Sequence, residues 1–273
     1  MTQGSYAALS SELVRNETLD LQAEGENTQG IVDCLPLLGV SSVLDVGCGG
    51  GALTRAIAAR LGSDALIRGI DIAAEHIDHA RRMASGARQI HYEQADIFGD
   101  LSGLEGRYDL VIEKYVLMSI FPFERGQRFI QSMRRCAKPG GTVALIEADI
   151  NFGQDRFPPA PQPLATILPA IVQFYNRKHL IDWRCGIQTY GRMKFAGLSA
   201  VNVRLADARA IAGGEPRALV EHANTDVEQL IEPCLRWLNL KVSVEQVAAQ
   251  WRHYFDNPNS FLYNPIFVCA GTA

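Results

Sequence analysis

The chain reads as an α/β protein built on a parallel sheet that is doubly wound, with helices on both faces. Three observations predict this. Between residues 40 and 150, short apolar runs alternate with stretches of helical period. Successive runs end on acids: Asp45, Asp71, Asp96 and Glu147. The first run also opens at once into a glycine cluster, Gly47, Gly49, Gly50 and Gly51, followed by a helical pattern. A strand feeding a glycine turn feeding a helix leaves room for a ligand to lie against the main chain.

Taken in order, Ser42 to Val46 is predicted as the first strand, and Ala52 to Leu61 as a helix with Leu53, Ile57 and Leu61 on one face. Ala65 to Ile70 is the second strand, ending in Asp71. A helix over Ala74 to Ala84 follows, with Ile77, Ala80 and Ala84 facing inward. Gln89 to Ala95 is the third strand, ending in Asp96, and Asp109 to Ile112 the fourth. Phe123 to Ala137 is an amphipathic helix, Lys138-Pro139-Gly140-Gly141 a turn, and Thr142 to Ile146 the fifth strand, ending in Glu147. Alternation of this kind implies parallel strands with right-handed crossovers.

The rest of the chain has another texture. Residues 151 to 196 hold the prolines Pro158, Pro159, Pro161 and Pro163, then an aromatic-rich helical stretch. Leu198 to Leu205 alternates as a strand, Pro216 to Tyr254 reads largely helical, and Asn264 to Ala270 is a terminal strand. Residues 1 to 38 look mainly helical, with Leu9, Leu13 and Val14 as an apolar stripe.

Composition narrows the function. The 273 residues are 47% hydrophobic and 21% charged, as in ordinary globular proteins. A net charge of -4 gives no support for binding a nucleic-acid backbone. The short basic clusters at Arg81-Arg82, Arg134-Arg135 and Arg177-Lys178 read as solvated helix faces. Six scattered cysteines without a CxxC pair argue against a zinc site or disulfide framework, so no metal and a reducing, cytoplasmic setting are expected. The first residues lack a basic segment followed by an apolar one, so no secretory signal is expected. No apolar run approaches the roughly 20 residues that span a bilayer.

The glycine turn alone admits two cofactors. Gly47-x-Gly49-x-x-Ala52 satisfies a loose dinucleotide fingerprint, with Asp71 about 20 residues on, where a ribose-binding acid belongs. Against an NAD-dependent oxidoreductase stand Asp45 inside the strand end, a further acid-ended strand at Asp96, and two strands close to the chain's end. Taken together, Asp45-Val46-Gly47-Cys48-Gly49-Gly50-Gly51, Gly69-Ile70-Asp71, Gln94-Ala95-Asp96-Ile97, Tyr108-Asp109-Leu110-Val111 and Lys138-Pro139-Gly140-Gly141 resemble the ordered motifs of class I S-adenosylmethionine-dependent methyltransferases. The likeness covers about 110 residues directly.

This resemblance implies a Rossmann-like, seven-stranded sheet that ends in an antiparallel hairpin. It divides the chain into a helical N-terminal lid (1–40), a cofactor-binding core (41–150), a cap or insertion over the acceptor site (151–197) and the last two strands with intervening helices (198–273). It implies S-adenosyl-L-methionine as the methyl donor. Asp71 would accept from the ribose hydroxyls and Asp96 from the adenine amine, with Ile72 and Ile97 against the ring. Gly47, Cys48 and Gly49 would lie against the methionine portion, Asp45 would fix its amino group, and Glu113 would line the same end. Tyr6 and Arg15 of the lid are further contacts. Exchange of the lid between subunits would make a homodimer. The same fold also admits a cofactor-binding regulatory protein that transfers nothing.

Methyl transfer is an in-line displacement, so a base is needed only where the acceptor must lose a proton. His179 with Asp182 is the first candidate, with a solvent-facing helix residue as the alternative reading. Glu147 and Asp149 come next. His91 is read as a structural residue inside the third strand, and His76 and His79 as surface residues. After the fourth strand, Glu113-Lys114-Tyr115 lacks the Asn/Asp-Pro-Pro-Tyr/Phe pattern of enzymes that methylate exocyclic amines of bases or glutamine. The stretch Tyr115-Val116-Leu117-Met118 and the long insertion resemble the small-molecule branch of quinone, lipid and natural-product biosynthesis. The aromatics Phe152, Phe157, Phe174, Tyr175, Trp183 and Tyr190 suggest a pocket for a hydrophobic or aromatic acceptor, with O, N or C as the methylated atom. The core of a helical cap is the other reading of each.

Overall fold

The computed structural model describes residues 28–149, 156–212 and 231–273. The expected lid contacts Tyr6 and Arg15, the stripe Leu9, Leu13 and Val14, and Phe152 lie outside these residues.

Eight strands form one sheet: β1 (Ser42–Val46), β2 (Leu66–Asp71), β3 (Ile90–Gln94), β4 (Tyr108–Lys114), β5 (Ala137–Ala148), β6 (Arg156–Phe157), β7 (Ser199–Ala212) and β8 (Phe261–Thr272). The order is β3-β2-β1-β4-β5-β8, and β7 pairs the far side of β8. The first five strands are mutually parallel, whereas β8 runs antiparallel to both β5 and β7. This is the predicted parallel sheet with its C-terminal hairpin. The two-residue β6 is additional to the seven expected strands and pairs the start of β8 beyond the end of β5.

Strand alternation sorts the core onto two faces. Val43, Ile67, Leu110, Ile112, Ala144 and Ile146 pack on one face, against α1 (Thr28–Cys34) and α2 (Ala52–Leu61). Leu44, Ile70, Val111, Val143 and Leu145 pack on the other, against α4 (Phe123–Cys136) and α6 (Cys185–Phe195). The period-2 pattern of each central strand is thus apolar on both sides, as strands covered by helices on both faces require. On α4 the buried set Phe129, Ile130, Met133 and Cys136 follows the helical period. Between β2 and β3, α3 (Ala74–Met83) buries Ile77 and Ala80 as expected.

Lys138 to Gly141 is not a turn that precedes the fifth strand. Tyr108 pairs Ala137 and Leu110 pairs Thr142, so these four residues bulge out within β5, with Gly140 at φ 77°. A bulge and a turn draw on the same residue types, and pairing on both sides of it decides between them.

A third cluster lies apart from the sheet. α5 (Leu164–Arg177), helical residues 231–238 and α7 (Val244–Asp256) bury Ile167, Leu168, Ile171, Tyr175, Cys234, Val247 and Trp251 together. Ser243 caps α7 by accepting from the Gln246 N–H, and the Gln246 side chain accepts from the Ser243 N–H. This reciprocal pair is written in the sequence as Ser-Val-Glu-Gln.

Candidate active site

In an open parallel sheet, ligands bind beyond the carboxyl ends of the strands where the winding reverses. Here that point lies between β1 and β4, because the chain passes from β1 to β2 on one side and joins β4 on the other. The glycine turn after β1 sits there. Gly47, Gly49 and Gly51 all have positive φ (72°, 51° and 76°). The Gly47 and Cys48 N–H groups donate to the Ile70 carbonyl at 2.7 and 3.0 Å, and the Gly51 N–H donates to the Cys48 carbonyl at 2.9 Å.

Two side chains make the glycines obligatory. A Cβ on Gly47 would overlap Cγ2 of Val116, which follows β4. One on Gly51 would overlap the Tyr92 hydroxyl, which itself donates to the Gly51 carbonyl at 3.2 Å. No motif marks Tyr92, and the stretch that contains Val116 gives no sign of a contact with the glycine turn. Their role arises only when β3 and β4 are brought beside the turn.

Asp71 at the end of β2 braces the turn from the other side. One of its oxygens accepts the Gly49 N–H at 3.0 Å, and the other accepts the Ala73 N–H at 2.9 Å with His76 Nδ1 at 3.4 Å. An ionised carboxylate offers about four acceptor positions, so capacity for ligand hydroxyls is left. Beside it Ile72 is 55% exposed, an apolar side chain at the open end of the sheet. His76, expected at the surface, is 7% exposed because it packs against Asp71, while His91 is exposed on edge strand β3. Asp96 is half-buried and caps its own turn by accepting the Phe98 N–H at 2.9 Å. Ile97, expected against a ring, instead belongs to the core below.

Asp45 lies beneath the turn. It is 2% exposed and accepts the Thr54 hydroxyl of α2 at 2.6 Å. Burial pushes its pKa up to about 6, against the opposing pull of Thr54 and Lys114. Burial also raises the Cys48 thiol, aided by the Asp45 and Asp71 charges, so it stays neutral.

The candidate bases separate. Glu147, like Glu113, is fully buried and accepts a backbone N–H, from Met118 at 3.0 Å. Neither acid faces an open site as expected, because both point to the helix-covered side of the sheet with Val111 and Leu145. Asp149 is held by Arg184 Nε at 2.6 Å and by the Ile187 N–H at 3.2 Å, which tie β5 to the start of α6. Asp182 does not pair with His179. Its oxygens accept Asn176, Gln188 and the Arg184 N–H. His179 is exposed, at φ 55° beyond the end of α5, with its ring edge-on to Phe121 at 5.3 Å. Phe121 follows the short 3-10 turn Leu117–Ser119, so His179 stands at the loop after β4.

Among the described residues the expected pocket aromatics do not gather in one place. Tyr175 is buried in the third cluster with Phe174 beside it, Trp183 packs between that cluster and the sheet core, and Phe157 and Tyr190 are exposed.

Residues 43–141 match the family model for a methyltransferase domain. This stretch of the chain is a methyltransferase domain. Probable methyltransferase ltbC of Aspergillus luteorubrus is 30% identical over 109 residues, 37% of this chain and 38% of that protein. Ubiquinone biosynthesis O-methyltransferase of Pectobacterium carotovorum is 36% identical over 103 residues, 37% of this chain and 40% of that protein. The matches thus span about two-fifths of those curated relatives. Among solved structures, YcgJ of Bacillus subtilis superposes with a TM-score of 0.53 at 15% identity, over 89% of this chain and 97% of that one. Phosphoethanolamine N-methyltransferase 2 of Haemonchus contortus, in complex with phosphomonomethylethanolamine and S-adenosylhomocysteine, gives 0.52 at 16%, over 89% of this chain and 52% of that one. The fold is shared across these chains.

Proposed function

We propose that the methyltransferase domain of this protein takes a methyl group from S-adenosyl-L-methionine and passes it to a hydrophobic or aromatic small molecule. The observation that carries the reading is the collar at the β1–β4 crevice, where a turn of positive-φ glycines is clamped between Asp71 and Val116 and opens beside exposed Ile72. Asp71 would hold the ribose hydroxyls, Ile72 and Asp96 the adenine, and the Gly47–Gly49 backbone the methionine end. Asp45, beneath the turn and ionised near pH 7, would place negative charge under the cofactor's cationic end without touching it. The cofactor brings an activated methyl group, so the chain's part is alignment and exclusion of water.

An aromatic acceptor of the quinone-precursor kind is supported by the name of the Pectobacterium relative. No disulfide joins the six cysteines, and among the described residues no helix is long and apolar enough to cross a membrane. Calorimetric titration with S-adenosylhomocysteine and with NADH tests the donor. Binding of the first and not the second is expected, and the reverse would turn the reading to an oxidoreductase. Binding without transfer to a panel of phenols, amines and indoles would make the protein a non-catalytic sensor.

His179 is the base this reading uses where the acceptor must lose a proton, since Glu147 and Asp149 are enclosed. His179→Ala should lower kcat for a phenolic acceptor by about 10²-fold or more, the usual range for a lost general base, with S-adenosylhomocysteine affinity unchanged. Unaltered turnover removes the residue from the mechanism.

A further inference from the structure

Glu113 and Glu147 are both 0% exposed, at the ends of adjacent strands β4 and β5, and out of reach of an acceptor. The donors they collect have a pattern. Glu113 Oε2 accepts the Val116 N–H at 2.9 Å and the Leu117 N–H at 3.3 Å, and its Oε1 accepts the Ile146 N–H at 3.3 Å. Glu147 Oε1 accepts the Met118 N–H at 3.0 Å. Three consecutive amides of the loop after β4 therefore hang on two buried acids. That loop has two further attachments. Val116 packs on Gly47 of the glycine turn, and the Met118 carbonyl accepts the Asp182 N–H at 2.7 Å from the segment that bears His179. Its first residue, Tyr115, is held at φ 61°, a conformation that a bulky residue adopts only when its surroundings impose it.

One oxygen is unaccounted for. Glu147 Oε2 is buried, and no N–H or hydroxyl donor reaches it. The Glu113 and Glu147 carboxyls are close enough to interact directly. Two carboxylates cannot both be ionised side by side in a dry interior, whereas one proton between them converts repulsion into a hydrogen bond.

We propose that Glu113 and Glu147 share a single proton, carried on Glu147, and that this pair is the positioning device that fixes the 115–119 loop between the cofactor turn and the acceptor segment. The cofactor half of the proposal rests on the methyltransferase reading, while the proton rests on the burial of both acids, their backbone donors and the unpartnered Glu147 Oε2. Glu113 accepts three backbone N–H groups, the environment of an anion, whereas Glu147 accepts the Met118 N–H and shares the influence of the Leu117 N–H. An O–H on Glu147 Oε2 directed at Glu113 supplies the missing partner.

The surrounding groups leave the proton where it is. Cys185, the first residue of α6, lies within the influence of both acids, as it does of Arg192 in the same helix and of Asp182 before it. The Cys185 thiol is pushed well up by burial and stays neutral. Arg192 donates to Gln188 Oε1, lies 4.0 Å from Asp182 and sits over the Phe123 ring at 4.8 Å, with its Nη1 buried and without a hydrogen-bond partner. From β1, Asp45 belongs to the opposite face and binds Thr54. Lys114, the next residue of β4, lies over the Tyr115 ring at 4.8 Å.

Burial, the largest cause for both acids, raises Glu113 to about 7 and Glu147 well above the usual range, with the Glu113 charge adding to the latter. For acids raised on folding, the stabilisation is complete below the unfolded-state value near 4.5 and is lost as pH rises through the folded values. The single-proton pair is therefore the state from about neutrality upward, and the loop loosens in alkali as the shared proton leaves.

Two substitutions with the same charge change separate this from a merely packed core. Glu147→Gln keeps an oxygen for the Met118 N–H and donates an amide N–H to Glu113. Glu113→Gln turns an NH₂ group toward at least one backbone N–H. Glu147→Gln is expected to fold and to bind S-adenosylhomocysteine at pH 7 within about threefold of wild type, whereas Glu113→Gln weakens binding about tenfold or more, one lost hydrogen bond to a charged group. The thermal midpoint of the wild type should fall between pH 6 and 9 more steeply than that of Glu147→Gln. Amides 116–118, corrected for intrinsic exchange, should lose protection over the same range only in the wild type. Equal behaviour of the two variants, identical pH profiles for wild type and Glu147→Gln, or a Glu147→Gln protein that does not fold would each overturn the shared proton. A wild type that binds no S-adenosylhomocysteine at pH 7 counts against the methyltransferase reading and leaves the pair to be decided by the thermal and exchange data.

Discussion

Gly47→Ala is expected to abolish cofactor binding in the accessible concentration range while leaving most of the fold in place. Gly47 sits at φ 72°, and an L-residue held in the left-handed region costs about 1–2 kcal/mol. The added methyl group would also overlap Val116 Cγ2, and forcing extra carbon into a packed contact costs about 1–3 kcal/mol. The two effects act on the same turn, so together they correspond to roughly 10²- to 10³-fold in affinity if relief comes by opening the turn. Val116→Ala in the same chain should recover part of the loss, because it removes the colliding methyl groups and leaves the backbone cost. Titration of S-adenosylhomocysteine into the single and double variants measures this. A single variant with wild-type affinity would show that the Gly47 backbone does not approach the ligand.

Asp71→Ala is expected to be comparably severe, for a different reason. The carboxylate braces the turn through the Gly49 and Ala73 N–H groups, and in the proposed complex it also accepts from ribose hydroxyls. A hydrogen bond to a charged group contributes about 1.5–3 kcal/mol, so loss of two ribose contacts alone predicts a weakening of roughly 10²-fold or more. Loss of the brace adds a fall in the thermal midpoint of the unliganded protein. Asparagine should not rescue it, because one side of the amide would present N–H to a backbone N–H. The measurements are affinity and thermal midpoint. Unchanged affinity in Asp71→Ala would remove the ribose assignment, and an unchanged midpoint would remove the brace.

Most of the sheet could be read from the chain because its signals are local. Short apolar runs ending in acids located β1, β2 and β3, and helical stripes such as Leu53, Ile57 and Ile77, Ala80 located the helices between them. The Ser243–Gln246 cap is equally local. What escaped was set by distant neighbours. Tyr92 and Val116 enforce glycine at positions in the turn more than 40 residues away, and no short-range pattern records that pairing. Asp149 and Asp182 have the residue type of a base or its partner, yet both bind donors around the start of α6. His76 looked solvated from its charged neighbours along the helix, but its ring turns inward to Asp71. Aromatic spacing in the 151–197 stretch could not separate a pocket from a helical core, since both need the same side chains.

The sequence by itself determined the doubly wound sheet, the place of the glycine turn at its first strand and the acids at the strand ends. These follow from backbone geometry and from the period of burial, which neighbouring residues express directly. Only the tertiary structure decided which acids remain available. Glu113 and Glu147 became a buried pair because two parallel strands set their carboxyl groups on one covered face, beside a loop whose amides need acceptors. Burial of that kind changes what a carboxyl group is, from a solvated anion to half of a shared hydrogen bond, and it depends on neighbours far away in the chain.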